Sequence, residues 1–215
     1  HFHGRVSNRK SRRRLVKARE LLEARGGLVF IAEVSSLDDE AIDEIRRLHR
    51  DRFEGTPNPL LKARFWRFFR LFTERGLGSD AVISMVRLNG ALISVLFGLR
   101  NGGTYVSYLL AFDPSLERMQ PGNVHLMLFQ EHLVDSGWAA IDFSKGDDRY
   151  KRRWSSAETW NFDVVIGYGL TGSIGAMLLY GRSRLRAWAR SRGLTRLARK
   201  ALSRRRPVVS ADQDK

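Results

Sequence analysis

The sequence predicts an α+β domain: one mixed, mostly antiparallel sheet flanked by helices on both sides, with basic helical extensions at both ends. Three observations carry this. Apolar residues recur at helical spacing up to about residue 76, switch to strand-like runs between 80 and 112, and then return to helical spacing. Two Asn-Gly pairs, Asn89-Gly90 and Asn101-Gly102, interrupt the strand-like region, and both residue types tolerate the positive φ of a hairpin turn. The formal charge of +15 is segregated: eight cations and no acid lie between Arg5 and Arg19, eleven more lie between Arg182 and Arg206, and Glu20 to Gly181 nets −3.

The elements follow in order. "SNRKSRRRLVKARELLEARGG", from Ser7, reads as a helix with Leu15, Ala18, Leu22 and Ala24 on one stripe, ended by Gly26-Gly27. "LVFIAEV", 28–34, is a short apolar strand. Ser36 with Asp39 three residues on resembles a capping box, and Ile42, Ile45, Leu48 and Phe53 share a face of the helix behind it. "GTPNP" breaks that helix. A second helix carries Leu61, Phe65, Phe68, Phe69 and Phe72, closed by Gly76 and Gly78. "DAVISMVRL", "ALISVLFGLR" and "TYVSYLLAF" form a three-stranded meander that Asp113-Pro114 ends. A helix enters through Pro121-Gly122 and leaves at Gly137. "AAIDFS" is a strand that a crossover sets parallel to the third meander strand. One or two helical turns around Tyr150, a last strand "TWNFDVVIGY", helices over 172–193 and 194–206, and a disordered tail complete the chain. The expected domain limits are 1–26 for a basic lead-in, 27–170 for the core domain, 171–206 for basic helices and 207–215 for the tail.

Composition excludes several classes. With no cysteine there is no disulfide framework or thiolate chemistry, which fits a reducing cytoplasmic setting. No apolar run reaches the ~20 residues that span a bilayer, and "HFHGRVSNRK" has no secretory h-region. The missing initiator methionine suggests a chain cut from something longer. His49, His125 and His132 lack metal-ligand spacing, so no metal is expected. No Walker or dinucleotide pattern is present.

Two stretches have the composition of a site. In "DPSLERMQPGNVHL", a glycine beside a helix start lets a phosphate approach bare N–H groups, and Arg118 adds a charge-assisted bond. The plain alternative is an ordinary strand-to-helix turn. "DFSKGDDRYKRRW" leaves the short strand with Asp142, turns at Gly146, and gathers Lys145, Asp147, Tyr150, Lys151, Arg152 and Trp154. A carboxylate among lysines is held ionised, which suits anion holding better than proton abstraction. The plain alternative is a solvated charged turn with Trp154 in the core. Tyr105 and Tyr108, three apart on one strand, face opposite sides, one toward a cleft and one toward the core. The basic residues 182–206, interleaved with Leu185, Trp188, Leu194, Leu197 and Leu202, pack on the domain by default. An anionic membrane surface, peripheral at the inner membrane, comes second. Nucleic acid comes third, for want of a reader motif.

The order of elements from 28 to 169 resembles the GNAT fold of acyl-CoA-dependent N-acyltransferases. Residues 113–154 are similar to the bacterial cellulose-biosynthesis-type (CelD-like) acetyltransferases, in which a strand ending Asp-Phe runs into a glycine, an acid and Tyr-Lys before a tryptophan. The matching residues are Asp142, Phe143, Gly146, Asp147, Tyr150, Lys151 and Trp154. The resemblance implies acetyl-CoA or another acyl-CoA as acyl donor, no metal, and a sugar or amino acceptor in exopolysaccharide or cell-envelope synthesis. It implies a pyrophosphate on Gly122, Asn123 and Val124, with Arg118 beside it. The family pattern there is Gln/Arg-x-x-Gly-x-Gly/Ala; this chain has Met119 in the first place and Val124 in the last, and Pro121 lacks an N–H. Asp142 is the expected base or acceptor-orienting group and Tyr150 the acid for the leaving thiolate. Tyr105, Tyr108, Lys145, Asp147, Lys151 and Trp154 are the expected acceptor-side residues. Related double-module enzymes, the FemAB-like aminoacyl transferases among them, carry two such halves, so this chain resembles a C-terminal module partnered by an N-terminal one. A non-catalytic module of the same fold, positioning a partner, is the alternative.

Overall fold

In the computed structural model, residues 9–54, 62–146, 149–159 and 164–191 are described. They form two compact units that divide between residues 159 and 160. The first holds a five-stranded sheet in sequential order, built from β1 (Leu28–Ile31), β2 (Ala81–Leu88), β3 (Ala91–Asn101), β4 (Thr104–Phe112) and β5 (Ala140–Asp142). All neighbours are antiparallel except β4 and β5, which are parallel. The predicted α+β sheet with helices on both faces is therefore present.

Helices α2 (Asp39–Arg52) and α3 (Ala63–Gly76) cover one face. There Ile42, Ile45, Phe65 and Phe69 pack with Ile83, Met85, Val95, Phe97, Leu109 and Ala111. Helices α1 (Arg9–Glu23) and α4 (Pro121–Asp135) cover the other, where Leu15, Leu126 and Phe129 meet Val82, Leu96 and Tyr105. The predicted stripe of α1 is buried at Leu15, Ala18 and Leu22. These contacts, removed from water, are the main favourable term for the domain.

Several local expectations shift. Asp38, not Ser36, caps α2: its carboxylate accepts from Ala41 N–H at 2.8 Å. The first hairpin turns at Asn89-Gly90 with φ of 50° and 83°, as expected. The second turns one residue later, at Gly102-Gly103, because Asn101 pairs with Thr104. β1 stops at Ile31 instead of 34, and β5 has three residues instead of six. No strand forms at Thr159 or in 164–168, and 160–163 of the expected last strand lie outside the described residues. Helix α6 runs Gly169–Ser191, starting three residues before the expected 172. The helix expected over 194–206 and the tail from 207 lie outside the described residues, as does "GTPNP".

The interior of the α4 face is partly polar. His125 is fully buried one turn into α4, with Nδ1 2.8 Å from Ser94 Oγ and Nε2 2.9 Å from Ser84 Oγ. Ser84 also donates to the Ile31 carbonyl at 2.8 Å, and Ser94 to the Ala111 carbonyl at 3.2 Å. A neutral imidazole and two hydroxyls have three protons for these four contacts. A second ring proton would fill the fourth, but a hydrogen bond is worth about 1 kcal/mol, while burying a cation costs several. Burial wins, and holds the His125 pKa down at about 3.

Candidate functional site

β4 is the strand around which the site is built. Its pairing with β3 slips between Phe97 and Gly98, so Leu109 faces Phe97 while Ser107 faces Gly98. Tyr108 is the extra residue of a β-bulge. The bulge explains a change of face: Tyr105 packs toward α4, whereas Leu109 and Ala111, an even number of residues on, pack toward α2 and α3. Tyr105 and Tyr108 do face opposite sides. Tyr108 is half-exposed, stacked on Phe65 at 6.0 Å and edge-on to Phe97 at 5.9 Å. Tyr105 is the core member, 0% exposed, and lines no open cleft. Its ring lies across Gly98, where a Cβ would sit 2.4 Å from Cζ, and meets Phe129 at 4.7 Å. Its hydroxyl has no partner among the described residues, and burial, with Tyr150 nearby, pushes its pKa well up.

β5 pairs with β4 only through Thr104, Tyr105 and Val106. Beyond Asp142 the chain leaves the sheet, while β4 runs on to Phe112. The two parallel strands therefore part from Ser107 onward. The departing loop is pinned by its own residues. Asp142 is exposed and its Oδ1 accepts from Ser144 N–H at 2.7 Å. Ser144 adopts φ 56° and its hydroxyl donates to the Ser107 carbonyl of β4. Gly146, at φ 128°, continues the turn. Lys151, on the short helix α5 (Arg149–Trp154), donates from Nζ to the carbonyls of Lys145 at 2.8 Å and Ser144 at 3.3 Å. Asp142 and Lys151 thus both shape the loop. Lys145 is exposed; Tyr150 is half-buried, its ring perpendicular to Phe143 at 6.1 Å. Asp147 lies outside the described residues.

The start of α4 closes the other side. A 3-10 helix, Pro114–Met119, follows β4 and carries exposed Arg118. Gln120, at φ 53°, then redirects the chain into α4. Gly122 lies against Phe112 so closely that a Cβ would come within 2.8 Å of Cδ1. Asn123 and Val124 both donate their N–H to the Gln120 carbonyl at 3.0 Å, and Pro121 has none. Among the described residues the Gly122 N–H alone is unpaired in this first turn. Trp154 is buried, and its Nε1–H donates to Asn123 Oδ1 at 3.3 Å. That bond ties "PGNV" to "YKRRW", so the two stretches singled out in the sequence flank one place in the fold.

Sequence reasoning missed Phe112 and Ser144. Phe112 is the wall that makes glycine necessary at 122, and Arg52 lies over the same ring at 4.3 Å. A strand-end aromatic ten residues before a helix-start glycine was the available signal. Ser144 had none, since a left-handed serine is rare.

The described elements are a meander, a crossover helix whose first turn keeps one unpaired N–H, and a parallel strand that parts from its neighbour. Residues 9–152 match the model of the acetyltransferase (GNAT) domain, and the chain belongs to that family. Solved structures similar to this chain include the ribosomal-protein-S18-alanine N-acetyltransferase from Escherichia coli, at 16% identity and TM-score 0.41, over 54% of this chain and 64% of that one. An aminoglycoside acetyltransferase from an uncultured soil metagenomic sample, in complex with sisomicin, matches at 14% identity and TM-score 0.48 over 66% of this chain and 97% of that one. The PaiA N-acetyltransferase from Thermoplasma acidophilum, in complex with coenzyme A, matches at 12% identity and TM-score 0.39 over 52% and 75%. No curated protein matches.

Proposed function

We propose that this domain transfers an acyl group from coenzyme A to an amine or hydroxyl of a small acceptor. The observation that carries the reading is the parting of β4 and β5 beside a helix start, with Trp154 and Asn123 holding the two flanking segments together. A thioester in that gap would present its carbonyl to the bulged backbone at Tyr108. An N–H there stabilises the oxyanion as it forms, and alignment supplies much of the acceleration. The acceptor's lone pair forms the new bond to the carbonyl carbon and the C–S bond breaks. Tyr150 gives its proton to the leaving thiolate, and Asp142 takes the proton from the acceptor, directly or through water. Gly122 N–H and Arg118 meet the coenzyme's phosphates. Lys145 and Lys151, with Tyr108 and Trp154, form the acceptor side. The acceptor we favour is a sugar or amino group in exopolysaccharide or envelope synthesis, with an N-terminal module of the same kind as partner.

One observation favours a second reading, a non-catalytic module that positions a partner. With Pro121 lacking a donor and two amides spent on Gln120, a single N–H remains for a pyrophosphate. A thermal-shift titration with acetyl-CoA separates the two. Ligand at 100 times its Kd adds about 2.7 kcal/mol to stability, or roughly 5–10 °C in Tm for a domain of this size. That rise, together with acyl transfer to an amine or sugar, supports catalysis. A flat response to millimolar ligand would overturn it and leave the positioning role.

A further inference from the structure

The segment from Val164 to Ser191 carries apolar surface that acyl transfer does not use. Val164, Ile166, Tyr168, Leu170, Met177 and Leu178 are all about 70% exposed or more. From Val164 to Gly181 no residue is charged. Arg182, Arg184, Arg186 and Arg190 then follow, with no acid before Ser191. Charge is thus divided along α6 rather than around it. A helix that lies flat on a membrane divides its apolar and charged residues around its axis; this one divides end from end. Gly167 is packed against Gly172, where a Cβ would be 2.5 Å from the carbonyl oxygen, and Gly169 turns the chain at φ 67°. Gly167 thus lies against the first turn of α6, and the exposed Val164, Ile166 and Tyr168 sit beside it in the sequence.

The dimensions select the depth. Gly169–Gly181 rises ~20 Å at ~1.5 Å per residue. That is too short for a hydrocarbon core of ~30 Å and somewhat longer than one leaflet. Among the described residues no helix is long and apolar enough to cross a membrane. We propose that residues 164–181 enter one leaflet of an anionic membrane obliquely, and that Arg182 and Arg184 begin a collar at the level of the lipid phosphates. The half-exposed Trp188 and Tyr180 then stand at the interface, where amphipathic aromatics settle. The acid-free collar is what selects lipid over a second copy of this chain, because two copies would bring like charges together on a protein already at +15. This inference does not depend on the acyltransferase reading.

The test uses the full chain. It has no cysteine, so Leu170→Cys takes a single environment-sensitive fluorophore. Vesicles containing about one-third phosphatidylglycerol in phosphatidylcholine should shift its emission to the blue and protect it from aqueous iodide. Pure phosphatidylcholine should bind at least ~10-fold more weakly, and Arg182→Gln with Arg184→Gln should cost roughly 30-fold at about 1 kcal/mol per charge. Leu170→Asp with Ile174→Asp should abolish insertion while leaving the thermal melt unchanged, since both side chains are exposed. A label that stays open to iodide on vesicle-bound protein would overturn the proposal, because the basic ends alone would then explain binding. A blue shift without lipid that grows with protein concentration would overturn it too, in favour of self-association.

Discussion

Lowering the pH should destabilise this domain through two buried histidines, and the size follows from their surroundings. His125 and His49 are both fully buried, and burial lowers their pKa from 6.5 to about 3 and about 4. Both folded values lie below the unfolded one. Above pH 6.5 both states are neutral at these sites and nothing is lost. Below it the unfolded chain takes up protons that the native state refuses, so stability falls until the folded pKa is reached. Each such histidine contributes about 1.36 kcal/mol per pH unit, so pH 5 costs about 2 kcal/mol for each and about 4 for the pair. Urea denaturation at pH 7.5, 6.5, 5.5 and 5.0 measures this. His125→Gln should start lower in stability but lose only half as much on acidification, and the double variant with His49→Gln should lose little. NMR signals of the His125 ring should also stay unchanged from pH 8 to 5. A His125→Gln protein that keeps the wild-type acid slope would refute the argument, as would a ring that titrates near 6.5.

Other outcomes follow from particular contacts. Gly122→Ala puts a Cβ 2.8 Å from Phe112 and should destabilise by about 1–3 kcal/mol, less up to ~1 kcal/mol of gained helix propensity; pairing it with Phe112→Leu should recover most of the loss in a urea titration. Trp154→Phe deletes the bond to Asn123 and should cost about 0.5–1.5 kcal/mol beyond the packing it changes, with amide shifts reaching the start of α4. Tyr105→Phe removes a buried hydroxyl that has no partner among the described residues, so thermal melts should show no loss and a gain of up to about 2 kcal/mol.

Much of the fold was legible because its signals are local. The strand-like runs, the Asn89-Gly90 turn and the crossover helix each depend on residues within one element. What was not legible depends on register and distant partners. The second hairpin moved to Gly102-Gly103 because Asn101 was claimed by Thr104. Asp38 outcompeted Ser36 because it stands next to the first helical residue. The bulge at Tyr108, which turns β4 over midway, has no signature in "TYVSYLLAF". In the candidate site, the two stretches were readable from their glycines and charges, and they do meet. Their internal wiring was not: Asp142 to Ser144, Lys151 to two carbonyls, Trp154 to Asn123. Each is a contact whose geometry depends on a left-handed or short-helix conformation that composition does not announce.

The proposed function requires that acyl-CoA bind in the gap beyond Asp142, between β4 and the loop that leaves β5. Backbone amide NMR during a titration with acetyl-CoA tests it directly. Saturable shifts gathered at Ser107–Phe112, Gly122–Val124 and Ser144–Lys151 are expected. Shifts confined to the opposite edge of the sheet at Leu28–Ile31, or none at millimolar ligand, would contradict it.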